Sequence, residues 1–364
     1  MSGPAVKNTT MKIMHIASGD KWAGAEVQVW TLCAELVKQG HQVSAILLNP
    51  GRLAEQLAKV GVITTVLNEN QFNFAKLLKK IKLELRRTQP DVVHTHRQKE
   101  NILGSLANRL TINTKCLRTV HGAPEFAPST KQRVQITLDR YCGRYLQHGV
   151  ISVADELTQK LTKMYPASHI HTIANGISAK AVQQDAASQQ VNALPTNVRH
   201  IGFVGRIEPV KRVDLFLQTA KLLLSENKHK VHFHLFGDGR LKPDFEKWVQ
   251  AENLEQHITF YGHTDSIRGW IKQMDMLLMP SDHEGLPMTA LESLALGTPM
   301  VAHATGGLVP LLNAAHCDGL VSNHTAQAYA NKVNQILNSP DQVVLPGEYD
   351  AAHNAQNILA LYRR

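Results

Sequence analysis

Apolar positions along this chain come in short continuous runs separated by longer amphipathic stretches. In the first half, KIMHIAS (12–18), QVSAILL (42–48), ITTVLN (63–68), DVVHTH (91–96), KCLRTVH (115–121) and HGVISV (148–153) have the length and continuity of strands buried on both faces. Between them lie helix-length segments, such as 24–39, where Ala25, Val29, Leu32 and Leu36 share one face. The pattern then breaks at 179–198, a polar, Ala/Gln-rich stretch, and restarts with HIGFVGR (200–206), VHFHLFG (231–237), ITFYG (258–262), MDMLLMP (274–280) and PMVAH (299–303). Strands that alternate with helices predict a parallel sheet covered on both sides. The break predicts two such domains, 11–182 and 199–349, joined by a linker at 183–198 and preceded by a disordered leader at 1–10. The segment 349–364 reads as a terminal helix with Ile358, Leu359 and Tyr362 on one side.

Composition agrees with this division. At 364 residues the chain exceeds what one core usually supports. With 43% hydrophobic and 19% charged residues it reads as a soluble globular protein, without a run of 18 apolar residues or a secretory pattern before MKIMHIAS. Cys33, Cys116, Cys142 and Cys317 are scattered, which argues against a disulfide framework and fits a reducing cytoplasm. A net charge of +9 points to an anionic partner: a phosphorylated substrate, a membrane surface or nucleic acid. Nucleic acid is disfavoured by the 5% aromatic content and by basic groups spread over both halves.

Two doubly wound domains would place their carboxyl-end loops around a central cleft, so the chemistry is sought in loops that follow strands. SGDKWAGAE puts Gly19, Gly24 and Ala25 at the opening of the first helix. GFVGRIEPVKRVD puts Arg206 and Lys211 past the first strand of the second domain, where their charge and donors suit a diphosphate. FGDGR ends the next strand with Gly237 and Gly239, which permit close backbone approach. Taken singly, these are also an ordinary turn, a solvated basic loop and a glycine turn.

The stretch SDHEGLPMTALESLALGTP (281–299) is more informative. Pro287 suits the first helical position, so the amides of Met288 and Thr289, with the Thr289 hydroxyl, face an anion. Glu284 lies before that helix and Glu292 inside it, on either side of the anion position. Carboxylates beside a diphosphate are tolerated when they accept hydrogen bonds from hydroxyls, so the fitting ligand has a phosphate centre and a sugar at each end: a nucleotide sugar. A loop charge and an exposed helix residue remain the alternative for the two glutamates alone.

The Glu-x7-Glu pattern at 284 and 292, with GRIEPVKRVD, FGDG and ATGG (304–307) around it, resembles the retaining glycosyltransferases of family 4, and WAGAEVQ, DVVHTH, TVHG and IANGI (173–177) extend the resemblance over about residues 11 to 340. The resemblance implies an α/β GT-B fold, with the terminal helix 350–364 crossing back to the first domain. It assigns Glu292 to the ribose hydroxyls, and Glu284 with the amides of Gly285 and Leu286 to hydroxyls of the donor sugar. Arg206 and Lys211 neutralise the diphosphate as the glycosidic bond breaks. Gly24 lets its loop approach the donor phosphate and the acceptor, Gly237 completes the donor set with Met288 and Thr289, and His121 sits near the reacting sugar. The catalytic set so implied is His121, Arg206, Lys211 and Glu284, with no protein nucleophile. The family's Lys-Gly is Lys211-Arg212 here, which adds a charge; IANGIS has Ala174 and Ser178 at its flanks; and Val309-Pro310 stands where the family has Pro-Glu.

No cofactor is expected beyond the donor substrate, UDP- or GDP-linked, and no metal: the chain has no Asp-x-Asp pair. His94 and His96 are expected on opposite sides of their strand, which would preclude a zinc site there. The acceptor reads as a glycan or lipid-linked molecule of the cell envelope or an exopolysaccharide, with the protein cytoplasmic or peripheral on the inner membrane face. The helix 73–89 carries Phe74, Leu77, Leu78, Ile81 and Leu85 on one face amid Lys76, Lys79, Lys80, Lys82, Arg86 and Arg87. It either covers the sheet or rests on an anionic leaflet, and its position between strands favours covering. A nucleotide-sugar epimerase or hydrolase, or a non-catalytic binding module, are the rival functions.

Overall fold

The computed structural model describes residues 10–20, 22–122, 130–340 and 342–364. The chain folds into two compact units, 1–176 with 351–364, and 177–350. In the first unit, seven parallel strands stand in the order β3-β2-β1-β4-β5-β6-β7. They are β1 (Lys12–Ala17), β2 (Gln42–Leu47), β3 (Ile63–Val66), β4 (Val92–Thr95), β5 (Lys115–Val120), β6 (Gly149–Ser152) and β7 (Ile170–Thr172). Their side chains alternate between two cores. Ile13 and Ala17 of β1 pack with Val29, Leu32 and Leu36 of helix Gly24–Lys38 and with Ile358 and Leu359 of the final helix Ala351–Arg363. Met14 and Ile16 pack on the other face with Leu77, Ile81 and Leu85 of helix Phe74–Thr88 and with Leu103.

That last contact gives the basic helix its role as a cover for the sheet. Leu77, Ile81 and Leu85 are buried, whereas Phe74 is 48% exposed and so does not share the buried face expected of it. Phe74 opens the helix directly after the Asn73 cap.

In the second unit, six parallel strands stand in the order β10-β9-β8-β11-β12-β13. They are β8 (Arg199–Val204), β9 (Val231–Phe236), β10 (Ile258–Gly262), β11 (Met276–Met279), β12 (Met300–His303) and β13 (Leu320–Val321). Phe203, Phe216, Phe233 and Tyr329 fill one core of this unit. The strands β7 and β13, of three and two residues, have no counterpart in the sequence pattern because they are too short to show one.

The linker expected at 183–198 is not a free connection. Residues Ala179–Ser188 form a helix, capped by the Ser178 hydroxyl, that packs on helices Ile267–Ile271 and Met288–Ala295 of the second unit. The stretch beyond it is anchored too: the Gly269 amide donates to Gln189 Oε1 at 2.7 Å and the Leu194 amide to Gln273 Oε1 at 3.0 Å. Short polar side chains met tertiary partners there, and polarity alone did not reveal them. The unit boundary falls after 176 rather than 182. The expected leader, 1–10, lies outside the described residues except for Thr10. No helix among the described residues is long and apolar enough to cross a membrane.

Candidate functional site

The strand order of the second unit reverses between β8 and β11. A reversal of this kind leaves the loops at the strands' carboxyl ends diverging to opposite sides, with a crevice between them. The sequence placed its basic and acidic candidates on these two loops, and the fold joins them. Asp282 donates its amide to the Val210 carbonyl at 2.8 Å, and Lys211 Nζ donates to Glu284 Oε1 at 2.6 Å. The two side chains are only 18% and 8% exposed. Lys211 is therefore held in one place by Glu284. Arg206 is exposed at the mouth of the β8 loop.

Glycines make this packing possible. Gly237 sits at φ +127, and a Cβ on it would lie 2.0 Å from the Gly205 carbonyl oxygen. Gly306, in ATGG, has φ +55, and a Cβ there would lie 1.8 Å from the Glu284 carbonyl oxygen. The neighbouring Gly307 amide donates to Gly285 O at 2.6 Å. The ATGG loop is thus the floor under Glu284, a role that sequence spacing did not give it.

Helix Met288–Ala295 follows the acidic loop. Pro287 is its N-cap, at φ −71 and ψ 132, rather than its first helical residue as expected. Its carbonyl accepts the first intrahelical bonds, from Ala290 at 3.1 Å and Leu291 at 3.4 Å. The extended ψ turns the chain into the helix one residue later, and the amides of Met288 and Thr289 remain those with no carbonyl behind them. Leu286 and Met288 are buried beneath the loop. Glu292 is also buried, and its Oε1 accepts from Arg268 Nε at 2.9 Å and Nη2 at 2.7 Å. Arg268 reaches Asp185 Oδ2 as well, at 3.1 Å. Sequence reasoning missed Arg268: it stands in no motif, and only folding brings helix 267–271 beside Glu292.

Arg212 does not add a charge to the site as expected. Its guanidinium binds Asp214 and Asp282, at 2.9 and 3.1 Å, and its hydrogen bonds to Asp214, offset in part by burial, raise its pKa further. Its backbone lies at φ +50, a left-handed conformation that glycine adopts at less cost.

In the first unit the reversal falls between β1 and β4. Gly24 opens helix Gly24–Lys38 with no side-chain cap, and Arg97, just past β4, pairs with Asp20 at 3.2 Å and with buried Glu26. Four histidines gather here: His15 on β1, His94 and His96 at the end of β4, and His121 after β5. His94 and His96 do not face opposite sides as expected. Side chains repeat with period two along a strand, so residues two apart share a face, and the two rings stack 4.5 Å apart. His15 lies in register with His94. One nitrogen each from His15, His94 and His96 falls within 4.8 Å of the others, so the geometric ground for precluding a metal here does not hold.

His121 is joined to this group. Its Nε2 lies 3.2 Å from His96 Nδ1, and its Nδ1 is buried without a partner. Burial holds His15 down to about 3 and His121 to about 4. Burial and then the neighbouring imidazoles hold His94 and His96 well below the ordinary range. All four are neutral near pH 7.

With this geometry in hand, likeness to known proteins is informative. The model for glycosyl transferases group 1 matches residues 184–353, and that for glycosyltransferase family 4 matches residues 22–180. The chain belongs to the group 1/family 4 glycosyltransferases. Among curated family members, it is 23% identical over 216 residues to the poly(ribitol-phosphate) alpha-N-acetylglucosaminyltransferase of Staphylococcus aureus, across 59% of this chain and 41% of that one. It is 27% identical over 242 residues to the UDP-Gal:alpha-D-GlcNAc-diphosphoundecaprenol alpha-1,3-galactosyltransferase of Escherichia coli, across 64% and 60%. The match thus spans about half the length of these relatives. The crystal structure of Anabaena Alr3699/HepE in complex with UDP-glucose superposes with a TM-score of 0.73 at 19% identity, covering 97% of this chain and 95% of that one. Both units of this family member follow the GT-B fold.

Proposed function

We propose that the protein transfers a sugar from a nucleoside-diphosphate sugar, UDP- or GDP-linked, to a glycan or lipid-linked acceptor, with retention and without a metal ion. The observation that carries this reading is the Lys211–Glu284 pair, fixed at 2.6 Å at the reversal of the second sheet and ahead of the helix that bears Glu292. Glu284, with the amides of Gly285 and Leu286, takes hydroxyls of the donor sugar. Glu292, whose Oε1 is held by Arg268, offers Oε2 to the ribose. Arg206, Lys211 and the amides of Met288 and Thr289, with the Thr289 hydroxyl, hold the diphosphate, and Gly237 keeps the loop beside it close. In the first unit, Gly24 leaves room for donor phosphate and acceptor, and His121 positions the sugar or the β-phosphate.

In the transfer, the bond between the anomeric carbon and the β-phosphate oxygen breaks, and its electron pair leaves on that oxygen. The acceptor hydroxyl oxygen bonds to the anomeric carbon on the same face and gives its proton to the β-phosphate. The products are a nucleoside diphosphate and a glycoside. Lys211 and Arg206 stabilise the charge that grows on the leaving phosphate, an electrostatic contribution that a metal otherwise makes. Support for an envelope-type acceptor comes from the relatives, one named for poly(ribitol-phosphate) and one for a diphosphoundecaprenol-linked sugar. Peripheral attachment to an anionic membrane surface on the cytoplasmic side accords with the net charge of +9.

A thermal-shift screen over UDP-, GDP- and ADP-sugars tests the reading, since a ligand bound only to the folded state raises its stability by mass action. One class should raise the Tm in the presence of EDTA, and the responding sugar should then appear in envelope-extract products with retained anomeric configuration. Epimerised or hydrolysed sugar formed rapidly without acceptor would instead favour the rival activity.

A further inference from the structure

We infer that His15, His96 and His121 form a directional hydrogen-bond chain in which each imidazole carries its proton on Nδ1, so that His15 and His96 position His121 as an N–H donor beside a small cavity. The inference rests on the proposed function only for the use made of His121; the chain itself is a property of the free protein.

The geometry is head to tail. His15 Nδ1 lies 3.0 Å from His96 Nε2, and His96 Nδ1 lies 3.2 Å from His121 Nε2. The successive ring planes are inclined by only 14° and 25°, with centroids 5.3 and 5.4 Å apart. His94 stands outside the chain, its nitrogens held by the hydroxyls of Tyr362 at 2.6 Å and Thr119 at 2.8 Å. A neutral imidazole has one N–H and one lone pair. Three of them in series therefore allow two arrangements: all protons on Nδ1, or all on Nε2.

The two ends of the chain decide between these. With all protons on Nε2, the terminal N–H is at His15 Nε2, on a ring with 0% exposure and with no acceptor for that atom. With all protons on Nδ1, the terminal N–H is at His121 Nδ1. His121 lines a cavity of about 10 Å³, room for about one water, together with Gln28, Asn175 and Asn354. Gln28 Oε1 is itself a buried acceptor without a partner. Both terminal nitrogens are buried without a protein partner, so the cavity decides: His121 borders it beside the unmet acceptor Gln28 Oε1, and His15 does not line it. The chain is therefore oriented so that the unmet lone pair falls on His15 and the donor on His121.

The second unit contains its opposite. His200 Nε2 lies 2.9 Å from the Pro195 carbonyl, which only accepts, so the proton is on Nε2. His200 Nδ1 then accepts from His234 Nε2 at 2.9 Å, and His234 Nδ1 from the Tyr261 hydroxyl at 3.0 Å. These two histidines are internal controls for tautomer.

The test is long-range proton–nitrogen correlation on the 15N-histidine-labelled full chain without substrate, in the wild type, His96→Asn and His96→Leu. The expected result is Nδ1–H at His15, His96 and His121, and Nε2–H at His200 and His234. The asparagine amide nitrogen stands where Nδ1 of His96 stood, so His96→Asn keeps His121 as Nδ1–H, whereas His96→Leu releases it to Nε2–H. With a nucleotide sugar that stabilises the wild type, His96→Leu should lower kcat tenfold or more with the ligand-induced Tm shift intact, and His96→Asn should restore it. Nε2–H at the three histidines of the wild type overturns the inference, as does stoichiometric zinc retained by the wild type and lost in His96→Leu, or a His96→Leu protein with both the His121 tautomer and kcat unchanged. If His96→Leu unfolds its unit, collapse of the dispersed His15 and His94 signals of that same unit shows it, and the wild type and His96→Asn still decide. If no nucleotide sugar stabilises the wild type, the transferase reading falls while the tautomer result stands.

Discussion

The two sheets reverse their strand order in the same way, at β1/β4 and at β8/β11, yet the groups gathered at the two reversals differ in kind. At β8/β11 they are charged and paired across loops: Lys211 with Glu284, Arg212 with Asp282, and nearby Arg268 with Glu292. At β1/β4 one charged group, Arg97 with Asp20 and Glu26, lies beside a cluster of imidazoles buried so deeply that protonation is suppressed. One topology thus supports two electrostatic designs. At β8/β11 charges meet opposite charges, as Lys211 meets Glu284 at 2.6 Å, whereas full burial favours the neutral form of the imidazoles.

The largest effect in breaking this contrast should come from the floor beneath the charged loop. Gly306→Ala places a methyl 1.8 Å from the Glu284 carbonyl at a left-handed φ, so the Glu284 loop must move. Urea unfolding should show a loss on the order of 2–4 kcal/mol, and the nucleotide-sugar Tm shift should vanish. Lys211→Ala should come next. It leaves Glu284 without its cation and should lower kcat by roughly 10²–10³, measured at saturating donor, whereas Arg212→Ala should cost much less because that charge is already taken by Asp214 and Asp282. Glu292→Ala should abolish the donor-induced Tm shift and leave Arg268 paired with Asp185 alone.

The neutral reversal should respond to pH. His15 and His121 have folded pKa values of about 3 and about 4, against about 6.5 unfolded. As pH falls below about 6.5 the unfolded chain binds protons that the folded chain refuses, and each such histidine lowers stability by about 1.4 kcal/mol per pH unit. Glu100 opposes this: burial raises it to about 7, so its folded form takes a proton first and gains stability as pH falls from there towards its ordinary value. With His94 and His96 acting in the same sense as His15, the sum should be a loss between pH 6.5 and 4.5, and denaturant curves at these two pH values check it. The smallest effect should follow Phe74→Ala, within about 0.5 kcal/mol, because that ring is 48% exposed while Leu77 and Ile81 make the cover.

Much of the fold was legible from the chain. Eleven runs fell on strands; the central ones are apolar because they are buried on both faces, while β3, at the sheet edge, is ITTV with Ile63 and Val66 exposed. The polar stretch at 179–198 misled because the same residues that avoid a core also cap and brace a helix, as Ser178, Gln183 and Gln189 do. The proline misled by one residue because its fixed φ suits the N-cap as well as the first helical turn.

The sequence by itself determined the two α/β units, the candidate loops after their strands, and the residue types at 211, 284 and 292, because local period and composition are properties of neighbouring residues. Only the tertiary structure decided the pairings: Lys211 with Glu284, Arg268 with Glu292, ATGG under the acidic loop, and His15 in line with His96 and His121. Each joins residues 22 to 81 positions apart, and whether a polar side chain finds a partner at that separation is set by strand order and register, which no local window contains.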